Sequence, residues 1–305
     1  FWRQVDNTTK RGRAVRAIGQ SDVGNDTTTM DCFDMATGGN ATYFGDTSSG
    51  RYYGCSMGSN GTRGVFGGGG NDVIDYITIA SEGDAIDFGN LSASLQILAG
   101  TSSEIRGFKF GGYSITNVIE YVNISTIGNA IDFGDLPTGI DAMGACSSPT
   151  RGISCAGRTE GPENPLNMID YITMASNGNA TDFGLYTTVA DELTGCSNTV
   201  RGVFGGQKAP SLGQFYNYIT IASTGNAEYF GDLSLARRGM GAGSSQTRGT
   251  FFGGVNPGSP STVKYNTIEY ITFATTGNGV DFGDLIERVR DCSGVSDSHG
   301  GLGGY

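Results

Sequence analysis

The chain is poor in several residue types on which common active sites depend. Its 305 residues include one histidine, one tryptophan and seven prolines. A single histidine, His299, cannot supply a pair of copper ligands, a metalloprotease pair or several zinc ligands. The Asp-box repeats of sialidases are also absent. We therefore expect no enzymatic activity, although the many carboxylates leave a glycosidase pair open.

Positive charge and long apolar runs are scarce as well. Nineteen basic residues stand against 30 acidic ones, and with this net charge of −11 an extended positive surface for nucleic acid is not expected. No segment approaches the roughly 18 apolar residues of a membrane helix, and the first ten residues lack the apolar stretch of a signal peptide. The chain begins at Phe1 rather than Met, which leaves a segment upstream of it open. Nucleic-acid binding and membrane insertion are thus not predicted.

Glycine is abundant, with 52 residues, and one short phrase recurs: an acid followed thirteen residues later by Phe-Gly. Self-similarity at a period of about 45 residues is typical of repeat architectures in which one supersecondary unit is copied. The phrase therefore predicts a single closed array. Its six copies are Asp31/Phe44, Asp75/Phe88, Glu120/Phe133, Asp170/Phe183, Asn217/Phe230 (Asn in place of the acid) and Glu269/Phe282.

Each repeat contains the pattern of four short strands. In the second repeat, RGVFG begins the first strand, and the β-branched and aromatic run around Tyr76 forms a second strand that is apolar on both faces. A Gly-Asn-type turn then returns the chain as a third strand ending at Phe88-Gly89, and a fourth follows near Ala99. Four antiparallel strands per unit predict an all-β, six-bladed β-propeller.

We expect one domain over residues 1–305. The terminal segment 299–305 resembles a seventh copy of the opening strand, with His299 in the place of its Arg, and pairing of the terminal strands would close the ring. The predicted repeats cover residues 13–62, 63–105, 106–150, 151–200, 201–247 and 248–298, followed by the terminal strand 299–305.

Six cysteines in a chain of this length do not require a disulfide framework. Cys55, Cys146, Cys196 and Cys292 occupy nearly the same place in four repeats, and the architecture keeps such places apart. Buried, unbridged thiols are therefore expected. A disulfide between Cys146 and Cys155, across one hairpin, stays open.

Length variation is concentrated in one loop of the repeat. The interval from the acid to Phe-Gly is always 13 residues, whereas that from the opening Arg to the acid runs from 12 to 21. Variable surface loops on a rigid scaffold are where binding specificity usually resides, although loops under no constraint would vary in the same way. The candidate ligand-binding residues on this loop face are Tyr113, Arg158, Glu163, Asn164, Lys208, Gln214, Tyr216, Asn256, Lys264 and Tyr265.

Arginines at the start of each repeat form the most suggestive charged set: Arg13, Arg63, Arg106, Arg151, Arg201 and Arg248. They could bind an anionic sugar, because a guanidinium binds oxyanions bidentately. The preferred interpretation is structural, with each Arg paired across strands to the acids Asp31, Asp75, Glu120, Asp170 and Glu269.

The aromatic residues at fixed places in the repeat are expected in the core between blades. A stacking platform for sugars is the alternative use of the same rings. The set comprises the six phenylalanines of the repeated phrase and Tyr76, Tyr121, Tyr171, Tyr218 and Tyr270.

No cofactor is predicted, and calcium alone stays open. The phrase DFGD offers carboxylate oxygens at Asp132/Asp135 and Asp281/Asp284, and partly at Asp87/Asn90. Asp beside Gly commonly satisfies turn backbone groups instead.

The segment NVIEYVNISTIGNAIDFGDL (117–136) resembles the Kelch repeat, in which a double glycine precedes an Asn-x-hydrophobic-acid-x-Tyr strand, a Gly-Asn-type turn and an aromatic anchor. Kelch repeats place Trp at the anchor, where this chain has Phe. The segments SSPTRGISCAG and IDYITMASNGNATDFG (147–184) are similar to Kelch-like repeats of virion proteins from marine cyanophages.

That resemblance implies a non-enzymatic structural protein of a phage virion, associated with a tail or capsid fibre on the particle's exterior. Its partners would be other virion proteins in a larger symmetric assembly, with a host-surface glycan or receptor contacted through the variable loops. A secreted or cell-surface binding propeller of a cellular organism is the first alternative, and a glycan-active enzyme the second.

Overall fold

A computed structural model of the chain describes residues 12–22, 26–159, 164–258 and 261–303. Within these ranges four-stranded antiparallel units repeat six times around an axis, as the sequence predicts for a six-bladed β-propeller. In the described part of the chain no helix is long and apolar enough to cross a membrane.

The strands are numbered in chain order. The first thirteen are β1 (Arg13–Ala17), β2 (Gln20–Ser21), β3 (Thr29–Asp34), β4 (Thr42–Asp46), β5 (Cys55–Ser59), β6 (Arg63–Gly67), β7 (Asn71–Thr78), β8 (Ile86–Leu95), β9 (Ala99–Ser102), β10 (Arg106–Phe110), β11 (Val118–Asn123), β12 (Ile131–Asp135) and β13 (Gly144–Ser147). The others are β14 (Arg151–Cys155), β15 (Leu166–Thr173), β16 (Thr181–Ala190), β17 (Thr194–Ser197), β18 (Arg201–Gln207), β19 (Gly213–Thr220), β20 (Glu228–Asp232), β21 (Gly241–Ser244), β22 (Arg248–Phe252), β23 (Val255–Asn256), β24 (Val263–Thr272), β25 (Val280–Arg290) and β26 (Ser293–Ser296).

Blade 1 consists of β26, β1, β3 and β4, from the axis outward. Blades 2 to 5 are β5–β8, β9–β12, β13–β16 and β17–β20, and blade 6 is β21, β22, β24 and β25, with the short strands β2 and β23 paired at its margin. Each blade starts one strand earlier than the predicted repeat: β9, the last strand of the predicted repeat 63–105, is the innermost strand of blade 3.

The ring is closed by terminal strands, because β26 pairs with β1 inside blade 1. The segment predicted as the closing strand, 299–305, does not fill that place. Gly300–Leu302 form a 3-10 helix instead, which His299 caps by accepting a hydrogen bond from the Gly301 amide on its Nδ1. The inner position of blade 1 that the prediction assigned to 299–305 is occupied by β26; residues 304–305 lie outside the described part.

The core lies between blades. Each of six buried clusters joins side chains of neighbouring blades, such as Phe88 of blade 2 with Val122 and Ile124 of blade 3. Each cluster contains one of the six repeated phenylalanines, which we call the anchors and none of which exposes more than 7% of its surface: Phe44, Phe88, Phe133, Phe183, Phe230 and Phe282. The aromatic side chain of every repeat is therefore part of a blade-to-blade core.

The residues between the acid and Phe-Gly include a connection that hydrogen-bonds to the outer strand of the preceding blade, and we call this contact the latch. The sequence predicts a tight hairpin at Gly-Asn between the second and third strands of a repeat. These are the third and fourth strands of a blade, and a longer connection joins them, 124–130 in blade 3. Its Gly128 amide donates to the Phe88 carbonyl of blade 2 at 2.8 Å, and the Asn129 side chain accepts from the Asn90 amide at 3.1 Å. The connection thus adds main-chain pairing to the outer strand of the preceding blade.

Glycine after each anchor is required by this latch. At Gly134, a Cβ atom would lie 2.5 Å from the Gly178 carbonyl oxygen of the next blade, and φ is +148°. The same close approach recurs after every anchor, at Gly45, Gly89, Gly184, Gly231 and Gly283. The Phe-Gly phrase therefore combines a core side chain with a place where two backbones meet.

Candidate functional site

One face of the propeller carries the variable connections between the second and third strands of every blade. We call it the loop face. These connections differ in extent; 68–70 in blade 2 has three residues, for example, and 111–117 in blade 3 has seven. The opposite face, the turn face, carries the short turns between first and second strands, such as 60–62 and 103–105. The rigid strand framework therefore presents its irregular segments together on one side.

Most of the predicted ligand-binding residues lie at the surface of the loop face. Tyr113, whose surface is 53% exposed, is the most open of the aromatic candidates. Glu163 lies outside the described residues. Asn164 and Gln214 are exposed, and Arg158, Lys208, Asn256, Lys264 and Tyr265 are half-buried.

Tyr216 is predicted at this surface, and the structure contradicts that placement. Its side chain is fully buried in strand β19, with its ring 4.7 Å from that of Phe251 and its hydroxyl donating to the Glu269 carboxylate. Burial raises the pKa of Tyr216 well above its usual value. The residue faces the interface between blades 5 and 6, because the strand begins before the loop sequence suggests.

The anchors cannot form the stacking platform for sugars that the sequence leaves open. A ring that stacks on a sugar must present one of its faces to solvent, and these rings are packed on both sides instead. The repeated tyrosines cover them edge-on, as Tyr171 does Phe183 at 6.1 Å between ring centroids. All six anchors are buried too deeply to reach a ligand: Phe44, Phe88, Phe133, Phe183, Phe230 and Phe282.

Two of the predicted basic residues fasten loops to the framework. Arg158 Nε lies 2.8 Å from Asp141 Oδ1, and its Nη1 lies 3.2 Å from Asp191 Oδ2. Lys264 Nζ donates to the Ser21 carbonyl at 2.5 Å, and burial lowers its pKa. These cations have protein partners, so the exposed polar and aromatic side chains are better placed to meet a ligand.

The repeated arginines are structural, but their partners differ from the prediction. Arg63 lies across from Thr78 rather than Asp75, and its guanidinium stacks over the Tyr76 ring at 4.2 Å. Its Nη1 donates at 3.0 Å to the Ile124 carbonyl of the next blade. The same bond to the following blade, at 2.7–3.2 Å, is made by Arg13, Arg106, Arg151, Arg201 and Arg248.

The repeated acids are buried further along the third strand than those arginines reach, and a different set of cations serves four of them. Asp31 pairs with Arg16 at 2.8 Å and Glu120 with Lys109 at 3.2 Å. Asn217, the neutral member of the set, donates to the Tyr186 hydroxyl at 2.8 Å. The remaining two pairs are Asp75 with Arg51, and Glu269 with Arg237 at 3.5 Å.

Asp170 of blade 4 is the exception among the buried acids. It has no ion-pair partner among the described residues, and its Oδ1 accepts no hydrogen bond there. In four other blades the acid accepts a hydrogen bond from a main-chain amide of the preceding blade, four residues after that blade's anchor. For Asp170 the residue at that position is Pro137, which has no amide hydrogen to donate. Burial, with a smaller contribution from Asp182, raises the pKa of Asp170 to about 6.

A ring of left-handed residues surrounds the axis at the loop face, one from each blade and each nine positions after its anchor. Its members are Tyr53, Ile97, Ala142, Glu192, Gly239 and Asp291, with φ between +51° and +61°. Five main-chain hydrogen bonds of 2.6–3.3 Å link neighbours around the ring, for example from the Ile97 amide to the Tyr53 carbonyl. We call this ring the axial mouth. The left-handed turn, unfavourable for five of these residues, is what points each amide at the adjacent blade.

The side chains of the axial mouth surround a cavity of about 80 Å³ to which all six blades contribute. Three of them bear polar groups: Glu192 pairs with Arg238, and Asp291 lies 3.2 Å from Arg290 Nη1. Burial raises the pKa of Asp291 to about 7 and that of Tyr53 to about 12. The sequence analysis did not predict these residues as part of a site. The position nine residues after each anchor differs chemically from repeat to repeat, and that diversity at a constant interval could have indicated a functional position.

Below the axial mouth, the innermost strands line a second cavity of about 160 Å³. Towards the turn face it is lined by a ring of serines, one from each inner strand. Their side chains bond to neighbouring inner strands; Ser102 Oγ, for instance, donates to the Ser59 carbonyl at 3.0 Å. His299 Nε2 lies 3.0 Å from that same carbonyl. The axial mouth therefore lies at the loop-face end of the axial space, and the serines and the C-terminal 3-10 helix lie in contact at its turn-face end.

The cysteines and the DFGD carboxylates supply no separate site in the described structure. All six cysteines are buried and free, including Cys146 and Cys155, as expected for unbridged thiols. Among the described residues, no three side chains of the His, Cys, Asp and Glu types converge as metal ligands would.

No protein-family model matches the chain, and no curated protein is significantly similar to it.

Proposed function

We propose that the protein is a non-enzymatic structural component of a phage virion, associated with a tail or capsid fibre, that contacts a host-surface glycan or receptor through its loop face. The observation that carries this proposal is the contrast between a repeated framework and irregular loops. Blade-to-blade contacts engage the anchors, the latch glycines and the repeated arginines, whereas Tyr113 and Gln214 on the loop face contribute exposed side chains.

The two faces of the propeller can serve different partners. The turn face carries short turns between first and second strands, such as 60–62 and 103–105. A neighbouring virion protein that binds on the turn face leaves the loop face open to a host cell. Loops presented by a rigid scaffold are the usual place for variable recognition.

Competition for host-cell adsorption tests the proposal. A triple variant that replaces Tyr113, Asn164 and Gln214 by Ala removes exposed side chains from two loops and from the start of β19, and none of the three belongs to a buried cluster. The purified wild-type protein should block adsorption of the phage, and the triple variant should need at least ten times the concentration.

The control replaces Ile105, Ile127 and Val200, exposed on the turn face, by Ala. This variant also removes three exposed side chains and should compete as the wild type does. Equal competition by the loop-face variant and the wild type would refute recognition through the loop face.

A further inference from the structure

The axial mouth has polar groups whose charges are already balanced inside the protein. Arg238 pairs with Glu192, and Arg290 lies beside Asp291. An anionic ligand would meet the carboxyls of Glu192 and Asp291, which line the cavity, and a cationic one would have to compete with the arginines that already pair with them. The mouth is therefore suited to a neutral ligand whose groups both donate and accept hydrogen bonds, as hydroxyls do.

Hydrogen-bonding capacity remains at this site. The Asp291 side chain is 1% exposed, yet neither of its carboxyl oxygens accepts a hydrogen bond of ordinary geometry from a described residue. The Tyr53 hydroxyl is near enough to lower the pKa of Asp291 slightly, but burial prevails and raises that pKa to about 7. A buried polar group in that condition is costly unless something completes its bonding. Near neutral pH this carboxyl can both donate and accept.

The surroundings add aromatic and apolar surface. Tyr53 stands on the ring of the mouth with the Tyr52 ring 4.7 Å from its own. Below it, Leu98, Met143 and Met240 line both the mouth and the deeper cavity. Aromatic rings beside carboxyl groups can contact the C–H face of a sugar while its hydroxyls are hydrogen-bonded.

The size of the mouth limits what enters. Its cavity of about 80 Å³ is well below the roughly 300–1,000 Å³ of pockets that enclose a drug-sized ligand. One edge of a sugar, such as an exocyclic hydroxymethyl group, fits this space, and the remainder of the ring would rest on the loop face beside Tyr53.

We propose that the axial mouth binds the end of a neutral glycan, with a terminal hexopyranose held by Tyr53, Glu192 and Asp291. This inference rests on the proposed function and names the ligand class for the loop face. It places the terminal sugar on the axis, surrounded by the variable loops, which would contact the following sugars.

Titration of the purified protein with a panel of neutral methyl hexopyranosides, followed by NMR, tests the inference. At least one should bind saturably, and Tyr53→Phe and Asp291→Asn should each weaken its binding at least tenfold while leaving Tm within a few degrees of wild type. Asp182→Asn, on the outer strand of blade 4, should leave binding unchanged. Each axial variant has nearly the same shape as the residue it replaces. Loss of sugar binding by a folded Tyr53→Phe protein would therefore support the inference even if Asp291→Asn did not fold.

Absence of saturable binding by every neutral hexoside would overturn the inference, as would equal binding by wild type and both axial variants. Binding confined to acidic or amino sugars would overturn it too. If no sugar binds but the triple variant competes at least tenfold more weakly than the wild type, the proposed function is supported and the axial site is refuted. If a sugar binds at the axial mouth but the triple variant competes as well as the wild type, the axial site is supported and recognition through the loop face is refuted.

Discussion

Asp170 should destabilise the folded protein at neutral pH, and replacing it by Asn should stabilise it. The carboxyl is 2% exposed and has neither the cation nor the main-chain amide that other blades provide. In the next blade the equivalent position is occupied by Asn217, whose side-chain carboxamide is buried and donates a hydrogen bond to the Tyr186 hydroxyl. The fold therefore tolerates a neutral amide at this position of the blade.

The magnitude follows from the pKa. A rise from 3.8 to about 6 corresponds to about 3 kcal/mol of free energy of unfolding. Because the folded-state pKa is the higher one, Asp170 costs nothing well below pH 4, where it is protonated in both states, and the protein loses stability as the pH rises from about 4 to about 6. Asp170→Asn should be nearly neutral at pH 4 and stabilising by up to about 3 kcal/mol at pH 8.

Thermal unfolding followed by circular dichroism between pH 4 and 8 provides the assay. At about 2 °C per kcal/mol for a chain of this size, the variant should gain up to about 6 °C at pH 8. The matched control is Asp75→Asn, which deprives the buried Arg51 of its partner and should destabilise by about 3–5 kcal/mol. An Asp170→Asn protein that is destabilised at pH 8, or whose gain is the same at both pH values, would refute the reasoning.

Three further predictions concern the framework. Gly134→Ala should cost at least about 2 kcal/mol because its Cβ would collide with the Gly178 carbonyl, whereas Gly178→Ala, whose Cβ meets open space, should cost less than about 1 kcal/mol; chemical denaturation compares them. Arg151→Met should lower the free energy of unfolding by about 1–2 kcal/mol through loss of the Tyr171 stacking and a hydrogen bond, and retention of wild-type stability would contradict that role. A thiol reagent should find no reactive cysteine in the native protein and six after denaturation without reductant; fewer than six would reveal a disulfide.

The blade architecture could be predicted from the sequence because every blade places the same types of residue in the core at the same intervals. An anchor phenylalanine and a β-branched strand recur at fixed intervals, so six copies identify one unit. What the intervals could not reveal was which blade each segment joins. The inner strand β9 lies within the predicted second repeat, 63–105, yet it pairs with Arg106–Phe110 of the next one.

The partners of the charged residues were unpredictable for a related reason. Arg63 and Asp75 lie on adjacent strands, but the register places Thr78 opposite the arginine and Phe66 opposite the acid. The cation that neutralises Asp75 comes from Arg51, on a connection whose path the repeat does not specify. Contacts between blades depend on the geometry of the ring, which no single repeat contains.

The candidate site was predicted only in outline. Clustering of length variation located the loop face, where Tyr113 and Gln214 are exposed. Length variation points to other segments, and the chemical diversity at the constant interval that contains Tyr53 and Asp291 does not by itself reveal that the six positions meet. They approach each other only when the six blades close around the axis.

The most direct test of the proposed function is quantitative proteomics of phage particles purified from the culture that produces the chain. A virion structural protein should be present at a fixed number of copies per particle through successive purification steps, in a constant ratio to the major capsid protein. Loss of the chain during purification, with recovery from the cell surface or the medium instead, would contradict a role in the virion and favour a cellular binding protein.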